Sequence, residues 1–74
     1  DEAALTVAEG NLTQAASAAT TFEAANGSFL GLSVPGAAVR SATAGAYCLE
    51  ETVHGTTAHL AGPNGTPAAG PCPA

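Results

Sequence analysis

The clearest pattern in the chain is a helical spacing of apolar residues in its first third. Between Glu2 and Asn26, apolar side chains recur every three or four positions, which places them on one face of an α-helix. This apolar stripe consists of Leu5, Ala8, Leu12, Ala15, Ala19 and Phe22. The opposite face carries Glu9, Thr13, Gln14, Ser17, Thr20 and Glu23. The pattern predicts one amphipathic helix that needs a partner for its stripe.

Packing, rather than intrinsic propensity, is expected to hold this helix together. Gly10 costs about 1 kcal/mol relative to alanine, and the several threonines are weak helix formers. Asn26-Gly27 supplies the end, because both residue types tolerate the left-handed backbone that closes a helix. The heptad-like spacing of the stripe leaves two interpretations open. Either the stripe packs only against its own domain, or it also packs against helices of other chains.

Beyond the helix the apolar pattern becomes alternating. A Val-Pro-Gly turn signal at residues 34–36 precedes a short strand candidate over residues 37–42. Residues 46–53 form the best strand in the sequence, and a His-Gly turn at residues 54–55 leads into a returning strand over residues 56–60. We predict a small antiparallel sheet of about three strands.

A two-residue turn that places Val53 opposite Thr56 would set the register and the faces of this hairpin, although the sequence leaves the exact register open. Glu50 should lie opposite His59, and Leu49 opposite Leu60. The side chains expected to cover the helix are Tyr47, Leu49, Val53, Ala58 and Leu60. Those expected to face away are Cys48, Glu50, Thr52, Thr57 and His59.

The remaining residues are rich in proline and glycine, which predicts a tail without regular structure. We therefore predict a single α+β domain, with an N-terminal helix packed on a small antiparallel sheet and a C-terminal tail closed by a disulfide. Its parts are a helix over residues 1–26, a connecting loop and first strand over 27–45, a β-hairpin over 46–60 and the tail over 61–74.

Composition weakens the case for a large core. Of the 74 residues 46% are hydrophobic, but alanine supplies 19 of them, and Leu, Ile, Val and Phe together supply only 12. A chain so poor in large apolar side chains is also compatible with a largely unfolded, low-complexity segment. The periodic stripe, the turn signals and the two cysteines favour a folded domain.

Charge excludes two classes of partner. The formal net charge is −5, and Arg40 is the only Lys or Arg. Nucleic-acid binding and attraction to an anionic membrane surface both need clustered cations, so neither is expected of this domain. No apolar run within the 74 residues is long enough for a signal peptide or a membrane span, so we expect any such segment to lie outside them.

Two cysteines in a small domain indicate one disulfide between Cys48 and Cys72, and hence an oxidising, extracytoplasmic compartment. Two free thiols, or half of a metal site, remain the alternatives. Because the cysteines are 24 positions apart, the spacing of a CxxC motif does not apply.

Few residues offer chemistry for catalysis or metal binding. His54 and His59, with Glu50 and Glu51, are the only candidate cluster, but histidines on the two sides of a hairpin do not converge as a helical HExxH pair does. Adjacent carboxylates on a strand point to opposite faces and cannot act as an acid/base pair. We expect no metal, no cofactor and no enzymatic activity.

All three asparagines lie in glycosylation triplets. Asn11, Asn26 and Asn64 are each followed at the second position by Ser or Thr. Two of the three are also Asn-Gly turns, so the matches do not by themselves establish glycosylation.

Two longer runs resemble the soluble domain of bacterial type IV pilins. AASAATTFEAANGSFLGL, over residues 15–32, is similar to the second half of the long pilin helix and its exit. AYCLEETVHGTTAHLAG, over residues 46–62, resembles the pilin hairpin, and Cys72 matches the second cysteine of the disulfide that closes a pilin's C-terminal region. The processed N-terminus and apolar helix of the family are not among the 74 residues.

The resemblance implies a structural subunit of an extracellular, cell-surface pilus that supports adhesion, motility or DNA uptake. It implies homo-oligomerisation in a helical filament through the N-terminal helix, with the apolar stripe as the packing surface, and minor pilins and assembly machinery as further partners. Membrane attachment before assembly would come only from the missing N-terminal segment. The alternatives are a small secreted, disulfide-stabilised binding module and a type II secretion pseudopilin. Major pseudopilins of secretion systems often bind calcium near the C-terminus, and residues 61–74 contain no Asp or Glu, which counts against such a site here.

Overall fold

The structure is a computed structural model that describes residues 2 to 73. One helix and four strands follow one another along these residues. They are α1 (Glu2–Asn26), β1 (Ala38–Ala42), β2 (Tyr47–Val53), β3 (Thr56–Gly62) and β4 (Ala68–Ala69). The predicted α+β class is confirmed, with the helix packed on an antiparallel sheet and a disulfide joining Cys48 to Cys72.

The helix has the predicted bounds. Its end is fixed where Gly27, at a φ of 78°, donates its backbone N–H to the carbonyl of Glu23 at 2.7 Å. The left-handed backbone at this position is available to glycine without strain. Exposed threonines along the helix donate their hydroxyls to the carbonyl four residues earlier, as Thr13 does to Glu9 at 3.0 Å. Such bonds satisfy the hydroxyl locally and allow threonine in the helix.

The sheet is an antiparallel meander in the order β1-β2-β3-β4. The predicted hairpin register is confirmed: Glu50 lies opposite His59, and Leu49 opposite Leu60. His54 and Gly55 form the turn with φ values of 50° and 79°. Positive φ at both positions is typical of the two-residue turns whose twist matches that of the flanking strands.

The prediction of about three strands and an irregular tail was wrong in one respect. The tail contributes β4, in which Ala68 lies opposite His59 and Ala69 opposite Ala58. The backbone N–H of Gly70 adds a bond of 2.9 Å to the carbonyl of Thr57. Without this pairing, the outer edge of β3 would present unpaired backbone groups. Two alanines between prolines are thus enough to form a short edge strand.

The core lies between the apolar stripe and the inner face of the sheet. Four stripe residues are buried, while Leu5 and Phe22 are half-buried at its margin. The buried core of the helix, sheet and connecting loop consists of Ala8, Leu12, Ala15, Ala19, Phe29, Leu32, Val34, Tyr47, Leu49, Ala58 and Leu60. Because alanine is small, the helix can lie close to the sheet, and few large side chains are needed to fill the space.

Tyr47 occupies one end of this core. Its ring meets that of Phe29 edge to face, with centroids 4.8 Å apart. On its other side the ring lies so close to Gly62 that a Cβ there would overlap it. The predicted inward orientation of Tyr47 therefore depends on a glycine in the neighbouring strand.

Candidate functional site

The residues predicted to mediate subunit packing form part of the protein's own core. Ala8, Leu12, Ala15 and Ala19 are covered by the sheet, and Leu5 and Phe22 pack at its edge. A neighbouring subunit cannot reach the four buried side chains while the helix remains on the sheet. Any contact between α1 and another chain would therefore use a different face of the helix.

A second row of residues runs along the solvent side of the helix. This outer seam consists of Ala3, Val7, Gly10, Gln14, Ser17 and Thr21, all of them exposed. Their spacing alternates between four and three, which is the spacing of a packing seam between helices. The signal was present in the sequence, but the more apolar stripe with the same spacing obscured it.

Gly10 and Val7 stand out within the outer seam. A Cβ at Gly10 would meet nothing within 4 Å, so no described part of the protein requires glycine there. The glycine nevertheless weakens the helix by about 1 kcal/mol relative to alanine. Among residues 2 to 73, Val7 is one of two large apolar residues that are clearly exposed, with 51% of its surface accessible. Both properties suit a surface that another chain covers.

Two open hollows flank the outer seam. One, of about 280 Å³, is lined by Ala3, Ala4, Val7, Val53 and His54, and it is mainly apolar. The other is an amide-lined hollow of about 300 Å³ in which side chains of the helix face the loop after it. Its lining is Asn11, Gln14, Pro35 and Gly36.

The two adjacent glutamates of β2 point to opposite faces of the sheet and bind different parts of the molecule. Glu51 points to the helix, where its Oε2 accepts a hydrogen bond of 2.9 Å from Nδ2 of Asn11. Glu50 points to the other face of the sheet and contacts the tail. The prediction that these carboxylates lie on opposite faces is confirmed, and they do not form a pair that shares a substrate.

Glu50 is the centre of an arrangement that we call the tail clasp, formed with Arg40 and Cys72. Its Oε1 accepts a hydrogen bond of 2.9 Å from Nε of Arg40, and its Oε2 accepts one of 2.7 Å from the backbone N–H of Cys72. The side chain of Glu50 is 13% exposed. The Cys48–Cys72 disulfide, with its Cα atoms 6.2 Å apart, lies beside it.

The histidines are separated by the fold, as the hairpin predicts. His54 lies in the exposed turn, whereas Nδ1 of His59 lies 3.0 Å from the carbonyl oxygen of Gly70 in the tail. Within residues 2 to 73, no group of three or more His, Cys, Asp or Glu side chains is arranged to hold a metal ion. On the face of the sheet away from the helix, the side chains of Glu50 and His59 bind the backbone of the C-terminal tail.

Acidification is expected to weaken the tail clasp. The N–H of Cys72, followed by Arg40, holds the pKa of Glu50 below its ordinary value of 4.5, and the charge of His59 acts in the same direction. A carboxyl with a lowered pKa in the folded state stabilises the fold above its unfolded pKa, and this contribution is lost as pH falls through the folded pKa. We expect Glu50→Gln to reduce the loss of stability on acidification below pH 4.5.

Urea unfolding at a series of pH values measures this effect. Glu23→Gln is the matched control, because Glu23 forms no salt bridge with any of residues 2 to 73. The control should lose stability in acid as the wild type does. Identical pH profiles for Glu50→Gln and the wild type would contradict the assigned role of Glu50.

Comparisons with known proteins identify no relative of this chain. No protein family, curated protein or solved structure matches the chain. Among residues 2 to 73, no helix combines the length and the hydropathy needed to cross a membrane.

Proposed function

We propose that this chain is the soluble domain of a pilin, a structural subunit of a type IV pilus-like surface filament. The outer seam supports this proposal most directly. It is an exposed row of residues, with Gly10 near its middle, that has the spacing of a packing seam on a helix whose opposite face is already buried. A long helix with one face on its own sheet and the other free suits a subunit that assembles through that helix.

The remaining architecture agrees with what the sequence resemblance implies. The hairpin of β2 and β3 carries the first cysteine, and the disulfide to Cys72 closes the C-terminal region over the sheet. In this proposal, an apolar segment before Asp1 continues α1, anchors the subunit in the membrane before assembly and forms the filament core afterwards. The outer seam then contacts neighbouring copies. Adhesion, motility or DNA uptake are properties of the whole filament.

Substitutions at Gly10 test the outer seam. Gly10→Ala should raise the free energy of unfolding by about 1 kcal/mol, because alanine is the better helix former and its Cβ meets open space. Gly10→Leu should also leave the isolated domain folded, yet it should sharply reduce filament formation because the added side chain blocks close approach. Filaments sheared from cells that express the full-length protein are counted by electron microscopy, and stability is measured by urea unfolding.

Thr20→Leu is the matched control for adding a leucine side chain to the exposed surface of α1. Thr20 is exposed on α1 but lies outside the outer seam, so this variant should assemble normally. Normal filaments from Gly10→Leu would refute the outer seam as a subunit contact. Equal loss of filaments in Gly10→Leu and Thr20→Leu would point to a general effect of exposed leucine.

A secreted binding module is the second candidate, favoured by the amide-lined hollow beside the loop at Pro35 and Gly36. The coding sequence immediately before Asp1 distinguishes the two. A short basic leader that ends in glycine, followed by about 20 apolar residues, would support the pilin. An ordinary cleaved secretion signal would exclude it in favour of the binding module.

A further inference from the structure

Two Asn-Gly pairs in this chain have different surroundings. Asn26-Gly27 lies at the end of α1, whereas Asn64-Gly65 lies in the exposed connection between β3 and β4. Asparagine followed by glycine is chemically prone to lose ammonia, because glycine has no side chain to obstruct the reaction. We propose that Asn64 is a site of spontaneous deamidation in the folded protein and that the fold protects Asn26.

The reaction requires the backbone nitrogen of the glycine to reach the side chain before it. That nitrogen loses its proton and attacks Cγ of the asparagine, so a bond forms between the nitrogen and Cγ. The bond between Cγ and Nδ2 breaks, and Nδ2 takes up a proton and leaves as ammonia. Water then opens the five-membered imide at either carbonyl, which gives aspartate or isoaspartate. Water is the only co-reactant, and nothing is oxidised or reduced.

Both reacting groups of the first pair are held by α1. Nδ2 of Asn26 donates to the carbonyl of Phe22 at 2.9 Å, and the backbone N–H of Gly27 donates to the carbonyl of Glu23 at 2.7 Å. The nitrogen of Gly27 can attack only after the last turn of the helix opens and breaks its bond to Glu23. Deamidation at Asn26 is therefore limited by the population of this open state.

The second pair lacks these restraints. Asn64 and Gly65 are both exposed, and neither the side chain of Asn64 nor the N–H of Gly65 forms a hydrogen bond with any of residues 2 to 73. Asn64 has a φ of 69°, and a Cβ at Gly65 would overlap the carbonyl oxygen of Ala61. The connection therefore requires glycine at position 65, so the residue after Asn64 has no side chain to obstruct the attack.

Deamidation would change the surface beside β4. Either product adds one negative charge to a chain whose formal net charge is −5. Isoaspartate also inserts one extra atom into the backbone between β3 and the two residues of β4. The connection would then need to rearrange in order to keep Ala68 opposite His59.

The experiment compares the two sites within one molecule. The disulfide-intact protein is incubated in mildly alkaline buffer, and both peptides are followed by mass spectrometry with separation of aspartate from isoaspartate. Asn64 should convert on the order of tenfold faster than Asn26 or more, which corresponds to an opening free energy of at least about 1.4 kcal/mol at the helix end. In denaturant with reductant, the two rates should converge.

Asn64→Gln is the matched variant, because it should abolish the fast product and leave the slow conversion of Asn26 unchanged. Equal rates at the two sites in the folded protein would overturn the proposal. It would also fail if the difference persisted in the unfolded chain, since neighbouring sequence rather than structure would then be the cause.

Discussion

Replacing Leu12 with alanine is expected to lower the free energy of unfolding by about 2–5 kcal/mol. Leu12 is fully buried at the centre of α1, facing the sheet, and within the described residues 2 to 73 Leu49 is the other large side chain with no exposed surface. A domain of this length has a total stability of about 4–11 kcal/mol. Loss of one leucine from this small core therefore removes a large share of the free energy of unfolding.

Urea unfolding followed by circular dichroism measures this loss. Leu30→Ala is the matched control, since it removes the same atoms from a side chain that is 61% exposed. The control should change the free energy of unfolding by less than about 0.5 kcal/mol. Similar values for the two variants would mean that Leu12 is not buried as described.

Removal of the disulfide is expected to cost about 3 kcal/mol, because the link between residues 24 positions apart restricts the unfolded chain. The suitable variant is the double substitution Cys48→Ala with Cys72→Ala, which leaves no thiol and no buried polar group. The fold should survive at low temperature with a lower midpoint of urea unfolding. Wild-type protein treated with reductant should behave in the same way.

Hydrogen exchange at Gly70 shows whether the disulfide acts mainly on the unfolded state. In the double variant, the N–H of Gly70 still has the carbonyl of Thr57 as its partner, and its carbonyl still has His59. We expect measurable protection at Gly70 under native conditions. Complete loss of protection there, with protection retained in β2 and β3, would mean that the disulfide alone holds the tail.

The sequence predicts the helix and the central hairpin because each has a strong local signal. The apolar stripe and the Asn-Gly end locate α1, and the turn signal at His54-Gly55 locates the hairpin, whose observed register is the one expected when Val53 lies opposite Thr56. Both depend on neighbours close in the chain, so periodicity and turn chemistry are sufficient.

What the sequence did not predict depends on distant contacts. Ala68 and Ala69 have weak strand propensity, and they form β4 only because the edge of β3 offers partners. The tail clasp joins Arg40, Glu50 and Cys72, which come from three segments, and nothing in their spacing reports the contact. The outer seam and the apolar stripe have the same spacing, and only the packing of the stripe on the sheet distinguishes them.

The position of the disulfide also governs how the chain would carry mechanical load. When the two ends are pulled apart, tension passes along the chain from α1 to Cys48 and across the sulfur bridge to Cys72. Residues 49–71 lie inside this covalent loop and bear no end-to-end force, so about 80 Å of extended chain stays hidden even after the domain unfolds. The turn, β3, β4 and the Asn64 connection are thereby shielded from stretching. Tension acts instead on the packing of α1 against the sheet and on the pairing of β1 with β2.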